Sequence, residues 1–454
     1  MTDVADHPAL DRLAAALGER LTVPGDPDWD AARAPWNRSI DQHPAAVAAP
    51  ADLDELRMLL AAARADGLPV SVQPGGHGAS GTVDGTVLVR TAAFDHLEVD
   101  VDARVARVGA GVPWGRVLDA LPGTGLVAMA GSSPIVNATA FTLSGGQSWF
   151  ARSHGHASSS LRAIELLTAD GRHRWLRDAD EPELLWASRG AGGAFGIVTA
   201  IEIDLHPAPV ITGGRLDFAA TDAAAVLRAV VEAGRDAPES LAMHTGVLRI
   251  PDVPQVPAEL RGRTIVTAQF VELGASDEAR AVVDRVRSAG TVVADTVGPV
   301  RVEDLGEIAR EPTDPSTDAS WSALADLDPA IVDRVVDAWA SPQGQEILAF
   351  GFRVLGGALA APARRPGIAS AVRHSHLITT HTMGLPGRER AADEAFAAMR
   401  SAVGLAASDR TFCTFLGPGV GYVGAYARSD VARAAAVKAT VDPEDRFRGN
   451  RDFA

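Results

Sequence analysis

Cysteine is all but absent: Cys413 stands alone among 454 residues, so no disulfide can close within the chain. It sits in the apolar run TFCTF, where a thiol serves as a small core hydrophobe. A reducing cytoplasm is the expected compartment. Long apolar runs are missing too, and none approaches the roughly 18 residues of a membrane span. The charged, helix-patterned opening MTDVADHPALDRLAAALGER lacks the basic start, apolar stretch and small-residue cleavage site of a secretory leader. We therefore expect a soluble protein with no membrane partner. Basic residues are outnumbered, 42 Lys and Arg against 58 Asp and Glu, for a net charge of −16. Such a balance argues against binding a phosphate backbone, so nucleic acid is not an expected partner. Tyrosine is scarce, with only Tyr422 and Tyr426 present.

The length exceeds what one hydrophobic core usually serves, which predicts two domains. In PADLDELRMLLAAARADGLPVSVQPGG, Leu53, Leu56, Leu59, Leu60 and Ala63 recur at helical spacing. Gly67 stands where a helix C-cap falls, and the strand PVSV follows. GTVLVRTAAF and ARVARVGAGV read as β-rich, PWGRVLDAL as a short helix, and residues 131–199 are dense in glycine. Backbone packed close to a large ligand suits that density. From about Val210 to Ser408 the texture changes. GGRLDFA, AMHTGVLRI, RTIVTAQFVEL, LAFGFRVLGGAL and SHLITTHTMGL read as strands. DAAAVLRAVVEAG, SDEARAVVDRVRSAG and GRERAADEAFAAMRSAVG read as helices. Together they predict an α+β arrangement with an antiparallel sheet covered on one face by helices. The last 45 or so residues read as turn chemistry.

One stretch concentrates the chemistry. PVSVQPGGHGAS places His77 between Gly76 and Gly78 in a loop whose successive N–H groups can form an anion-binding nest. The pattern is neither GxGxxG opening a helix nor GxxxxGK[ST], so neither a Rossmann site nor a P-loop is supported. An imidazole flanked by residues without bulk is reachable by a large planar ligand. A metal reading competes with this one: SHGHA sets His154 and His156 two apart, on one side of a strand, but no third ligand stands at a recognisable spacing, and we assign no metal.

The ordered motifs PVSVQPGGHG, GAGVPWGRVLDAL, GSSPIVNATAFTLSGGQSWFARSHGHAS, IELLTADG, ELLWASRGAGGAFGIVT and DPEDRFRGN resemble the FAD-linked oxidases of the berberine bridge enzyme type, within the vanillyl-alcohol oxidase group with a PCMH-type FAD-binding domain. The resemblance runs over residues 35–205 and the C-terminal 45 or so. It implies an FAD-binding domain at residues 1–206, rejoined by 411–454, with a substrate-binding domain at 207–410. It further implies a covalent bond from His77 to the 8α-methyl of the flavin, with the N–H groups of Gly75, Gly76, Gly78 and Ala79 cradling the pyrophosphate and Pro74 also contacting the cofactor. Gly131, Ser132 and Ser133 would lie in the segment that skirts the flavin ring, and Val136 and Ala138 would also contact the cofactor. Gly145 and Gly146 would admit the cofactor, Gly196, Ile197 and Val198 would lie near the adenine, and Asn450 near the isoalloxazine.

Departures from the pattern shape the rest of the expectation. A second tether in some members is a cysteine where this chain has Ser133, so a single bond is expected. The family's Tyr-x-Asn aligns with Phe412, Cys413 and Thr414, and neither the phenylalanine nor the threonine supplies a base at neutral pH; the arginine before the GGH loop is replaced near Gln73. Tyr422 and His381 are then the candidate catalytic residues. The resemblance implies oxidation of a small organic substrate, such as a natural-product intermediate, amine, alcohol or sugar, by hydride transfer to flavin, with dioxygen as acceptor and hydrogen peroxide as product. Two alternatives stay open: a non-oxidative cyclase or isomerase using the flavin site as scaffold, and a ligand-binding protein on a degenerate fold.

Overall fold

The computed structural model describes residues 8–252, 258 and 261–453. Its first helix is Pro8–Leu17, and the start of the opening segment read as helical lies outside the described residues. The apolar spacing of the next stretch produces the helix Leu53–Ala65, capped by Asp52, whose side chain accepts from the N–H groups of Asp54 and Glu55. Leu56, Leu59 and Leu60 are buried, each contributing about 1.5–3 kcal/mol, and Gly67 ends the helix with φ +68°. The helix packs beside a five-stranded sheet ordered Leu21–Thr22, Ala46–Ala48, Val87–Val89, Val70–Val72, Phe447–Arg448. All neighbours but the first pair are parallel. The final strand thus brings the C-terminal residues back to the strand that leads into the His77 loop.

A second five-stranded sheet is antiparallel: Leu97–Asp100, Val105–Gly109, Ile197–Asp204, Leu161–Leu167, His173–Arg177. The third and largest is also antiparallel, along the path Val292–Asp295, Ile211–Phe218, Thr264–Leu273, Leu241–Arg249, Ala349–Val354, His376–Thr382, Ala319–Ala325. The helices Ala223–Ala233, Asp277–Arg287, Pro329–Ala340 and Glu389–Val403 cover one face of it. In Ala349–Val354 alternate residues show the consequence, since Phe350, Phe352 and Val354 lie in the core under the helices. Gly351 and Arg353 are left on the other face. The fold is α+β, as the patterning predicts.

One reading is corrected. The C-terminal segment read as turns contains the helix Arg428–Val441. Only Val431, Ala434 and Lys438 of it are buried, so it carries no apolar stripe that a periodicity reading could detect. Among the described residues no helix is long and apolar enough to cross a membrane.

Candidate active site

The loop after Val70–Val72 presents His77 as an exposed side chain stacked on Trp36, ring centroids 4.0 Å apart. Trp36 is itself pinned, its backbone N–H donating to the Gly75 carbonyl (2.8 Å) and its indole N–H to the Thr313 carbonyl (3.2 Å). Gly76 is required by two constraints: its φ is +73°, and a Cβ there would sit 2.6 Å from Pro35 Cβ. Desolvation by the surrounding loops lowers the His77 pKa, against the opposite pull of Glu311 and Asp318. The imidazole is therefore neutral and nucleophilic at neutral pH. The N–H groups of Gly75, Gly76, His77 and Gly78 donate to no backbone carbonyl among the described residues, whereas Ala79 donates to Gly76 O at 3.4 Å. Four backbone N–H groups of this loop are thus free of backbone partners among the described residues, whereas that of Ala79 closes the turn. From the C-terminus, Asn450 Nδ2 donates to Gly78 O at 2.8 Å. Behind the loop Arg90 donates to the Gln73 side chain (2.9 Å) and to the Ala34 carbonyl (3.1 Å).

Opposite His77 stands a cluster that sequence patterning did not reveal, apart from His381. His381 Nδ1 and Asp318 Oδ1 are 3.0 Å apart. Burial disfavours the imidazolium, but the Asp318 hydrogen bond and charge, with Glu311 behind, outweigh it, and the His381 pKa is raised. Glu311 accepts from Ser132 Oγ and lies 4.0 Å from the Arg353 guanidinium. Arg353 donates to Gln147 Oε1 at 2.7 Å and lies over the Phe415 ring. The cluster's position follows from strand register. His244 pairs with Arg353, Gly246 with Gly351, Ala349 with His381, and Ser320 with His381 from the other side. These residues share the face of the large sheet opposite the four long helices that cover it. His244 is further held by stacking on Trp149, with centroids 4.2 Å apart.

The remaining candidates are distributed as follows. Ser132 joins Glu311, and Ser133 beside it has a buried Oγ without a hydrogen-bond partner, as do Gln73 Nε2 and Thr414 Oγ1. Gly145 and Gly146 form a turn that receives the N–H groups of Ser158 and Ala157, at 2.9 and 3.0 Å. At Gly146 (φ +70°) a Cβ would meet the Phe141 ring at 2.5 Å. Val136 and Ala138 hold this region to Trp114 and Val112 through backbone bonds. Gly196, Ile197 and Val198 are buried beside Leu166 and Leu167. Pro74 opens the His77 loop. Tyr422 is not brought into the cluster: it is buried beside Tyr426 and Phe453, and burial raises its phenol far above its ordinary value. It is no base at neutral pH. His154 and His156 are corrected too. They lie on no strand, because His154 ends the helix Ala151–His154 and Gly155 turns at φ +86°. His154 stacks on His206, while His156 Nε2 is 3.0 Å from the Ser370 carbonyl.

Glycine N–H groups without backbone partners, a neutral exposed imidazole and orphaned buried hydroxyls fit a large anionic, planar cofactor. Comparison with known proteins names one. The family model described as FAD binding domain matches residues 44–177. A curated relative, (R)-6-hydroxynicotine oxidase of Paenarthrobacter nicotinovorans, is 28% identical over 295 residues, 63% of this chain and 62% of the relative. The xylooligosaccharide oxidase of Thermothelomyces thermophilus is 27% identical over 210 residues, 45% of this chain and 42% of the relative. The matches thus span from about two fifths to three fifths of these relatives' own length. Among solved structures, the BBE-like 1 protein of Physcomitrella patens superposes with TM-score 0.79 at 18% identity, covering 98% of this chain and 99% of that one. The glucooligosaccharide oxidase of Acremonium strictum, described with a 6-S-cysteinyl, 8α-N1-histidyl FAD, gives 0.78 at 19%, covering 97% of each.

Proposed function

We propose that this chain, which carries an FAD-binding domain and the fold of the berberine bridge enzyme-like and vanillyl-alcohol oxidase-type flavoproteins, oxidises a small organic substrate. In this reading residues 1–206 and 411–454 hold the cofactor and 207–410 hold the substrate. His77 forms the one covalent bond to the flavin, since Ser133 offers no thiol for a second. Gly75, Gly76 and Gly78 take the pyrophosphate, Asn450 fixes their loop, and the segments at Gly131–Val136, Gly145–Gly146 and Gly196–Val198 line the rest. With FAD bound, the site gains a two-electron hydride acceptor that dioxygen reoxidises with release of hydrogen peroxide. The substrate rests on the face of the large sheet that carries His244, Arg353 and His381. His381, braced by Asp318, takes the proton from the substrate's hydroxyl or amine as its hydride departs, and Arg353 and Glu311 orient it.

The observation that carries this reading is the fastening of the His381–Asp318 pair beside His77: Trp36, stacked on His77, donates to the Thr313 carbonyl, and Asn37 and Ser39 donate to the Asp318 carbonyl. Amines, alcohols, sugars and natural-product intermediates are the substrate classes to screen. The test is a denaturing gel of the purified protein viewed under ultraviolet light after acid treatment, beside His77→Ala, with peroxide detection in the screen. A fluorescent band lost in the variant supports the tether. A dark wild-type band rejects it, and a colourless native protein rejects the flavin reading altogether. Flavin that no substrate of the screen bleaches would favour a non-oxidative role.

A further inference from the structure

A second cavity lies away from the cluster just described. It has a volume of about 290 Å³ and is lined by Arg104, Arg162, Asp204, His206, Arg364 and Arg365 among others. Three neighbouring strands of the second sheet build its floor. Arg104 precedes Val105–Gly109, Asp204 ends Ile197–Asp204, and Arg162 opens Leu161–Leu167. The 364–365 loop, from the substrate-side half of the chain, closes over them. Gly196 precedes and Asp204 ends one strand, so the cavity is roughly 26 Å from the expected adenine position at about 3.3 Å per residue.

Its charge is unbalanced. Asp204 accepts from Arg365 and lies 3.7 Å from Arg162, while Glu202, which also carries Arg107 and Arg177, takes the rest of Arg162. Arg104 and Arg364 are exposed, and their guanidinium groups have no partner among the described residues. His206 adds a neutral imidazole bonded to Ser160 Oγ at 2.9 Å. It is stacked on His154, so its ring is oriented. In a chain of net charge −16, four guanidinium groups around one carboxylate form a local field of the opposite sign.

We infer that this cavity binds a small oxyanion, phosphate or carboxylate in chemistry, with Arg104 and Arg364 as its principal ligands, Arg162 and Arg365 held in place by Asp204, and His206 as a hydrogen-bonding wall. Guanidinium groups suit such ligands because their planar donors match two oxygens at once. An occupant would bridge the strand ends to the 364–365 loop.

The test is calorimetric titration of the full-length purified protein with sodium phosphate and, separately, with citrate, at ionic strength held constant with sodium chloride. Saturable binding weakened at least tenfold in the R104A/R364A double variant, and unchanged in R57A on an unrelated exposed helix face, supports the site. Response to phosphate alone assigns a phosphorylated ligand, and response to citrate alone a carboxylate. Absence of saturable heat with either, or equal affinity in the double variant, overturns the inference.

Discussion

The two walls of the proposed active site are built by different means. The His77 wall is made of backbone: glycine dihedrals, unpaired N–H groups and one imidazole, within a dozen residues of sequence. The facing wall is made of side chains, His244, Arg353, His381 and Ser320, one from each of four strands, with Asp318 and Glu311 reaching in from the segment before the last strand. Backbone conformation is dictated locally, by where glycine alone is tolerated. A side-chain face is dictated by register, which here pairs His244 with Arg353 and Ser320 with His381, residues 109 and 61 positions apart. The first kind of wall should suffer from small steric changes and the second from changes of chemistry.

The largest effect is expected on the side-chain wall. Converting His381 to glutamine keeps a polar group of similar reach and removes the base. We expect kcat to fall about 10²–10⁴-fold, the usual worth of general base catalysis, with the fluorescent flavin band intact. Loss of the band together with activity would move His381 from proton transfer to cofactor retention. The backbone wall should respond in the opposite way. In Gly76→Ala the added methyl meets Pro35 at a dihedral that L side chains rarely adopt, at a cost of about 1–3 kcal/mol for the dihedral and a similar amount for overpacking. Flavin content and Tm should fall together, and an unchanged Tm with full flavin content would break the contrast.

A subtler probe separates charge from position. The His381 pKa lies above its ordinary value of about 6.5 because Asp318 favours the imidazolium. A base must be neutral, so kcat/KM should rise with pH through a limb above 6.5. Asp318→Asn removes the charge and should move that limb to lower pH. The linkage to stability has the other sign. A raised pKa means the pair stabilises the fold fully below the unfolded pKa, and that contribution is lost as pH rises through the folded one. The wild-type protein should therefore lose the advantage over Asp318→Asn in Tm as the medium becomes more alkaline. A limb that stays put in the variant would assign it to another group.

Legibility followed the same division. The His77 loop, the helix Leu53–Ala65, the antiparallel sheet and its helical cover were readable because glycine runs and apolar periodicity are local signals. Glu311 and Asp318 were not, since REPTDPSTDAS looks like an ordinary polar connection. What gives those carboxylates meaning is that Asn37 and Ser39 donate to the Asp318 carbonyl at 3.0 and 2.7 Å and fasten the segment beside the His77 loop. Arg353 was hidden by the apolar strand around it. The signal that could have found it is alternation: within AFGFRV the phenylalanines and valine mark the covered face, and what remains must look the other way. Tyr422 has the right chemistry and lies near the C-terminus, but nothing in sequence spacing reveals that burial suppresses that chemistry.

The smallest expected effect lies where the two kinds of construction meet. Asn450 is a side chain whose task is to hold backbone: its Nδ2 donates to Gly78 O, and Ser80 Oγ, which bonds to its carbonyl, lies 3.1 Å from its Oδ1. Cutting it to alanine removes a neutral hydrogen bond at an exposed position, worth about 0.5–1.5 kcal/mol, while the strand pairing of Phe447–Arg448 with Val70–Ser71 and the Arg451 bonds to the carbonyls of Leu416 and Gly417 still return the terminus to the loop. Asn450→Ala should therefore keep its covalent flavin and most of its Tm, but incorporate the cofactor more slowly when the apoprotein is reconstituted, because the loop carrying His77 is ordered for less of the time. A reconstitution rate equal to wild type would mean that Gly76 and Trp36 suffice to shape the loop, and that the C-terminal return serves the fold alone.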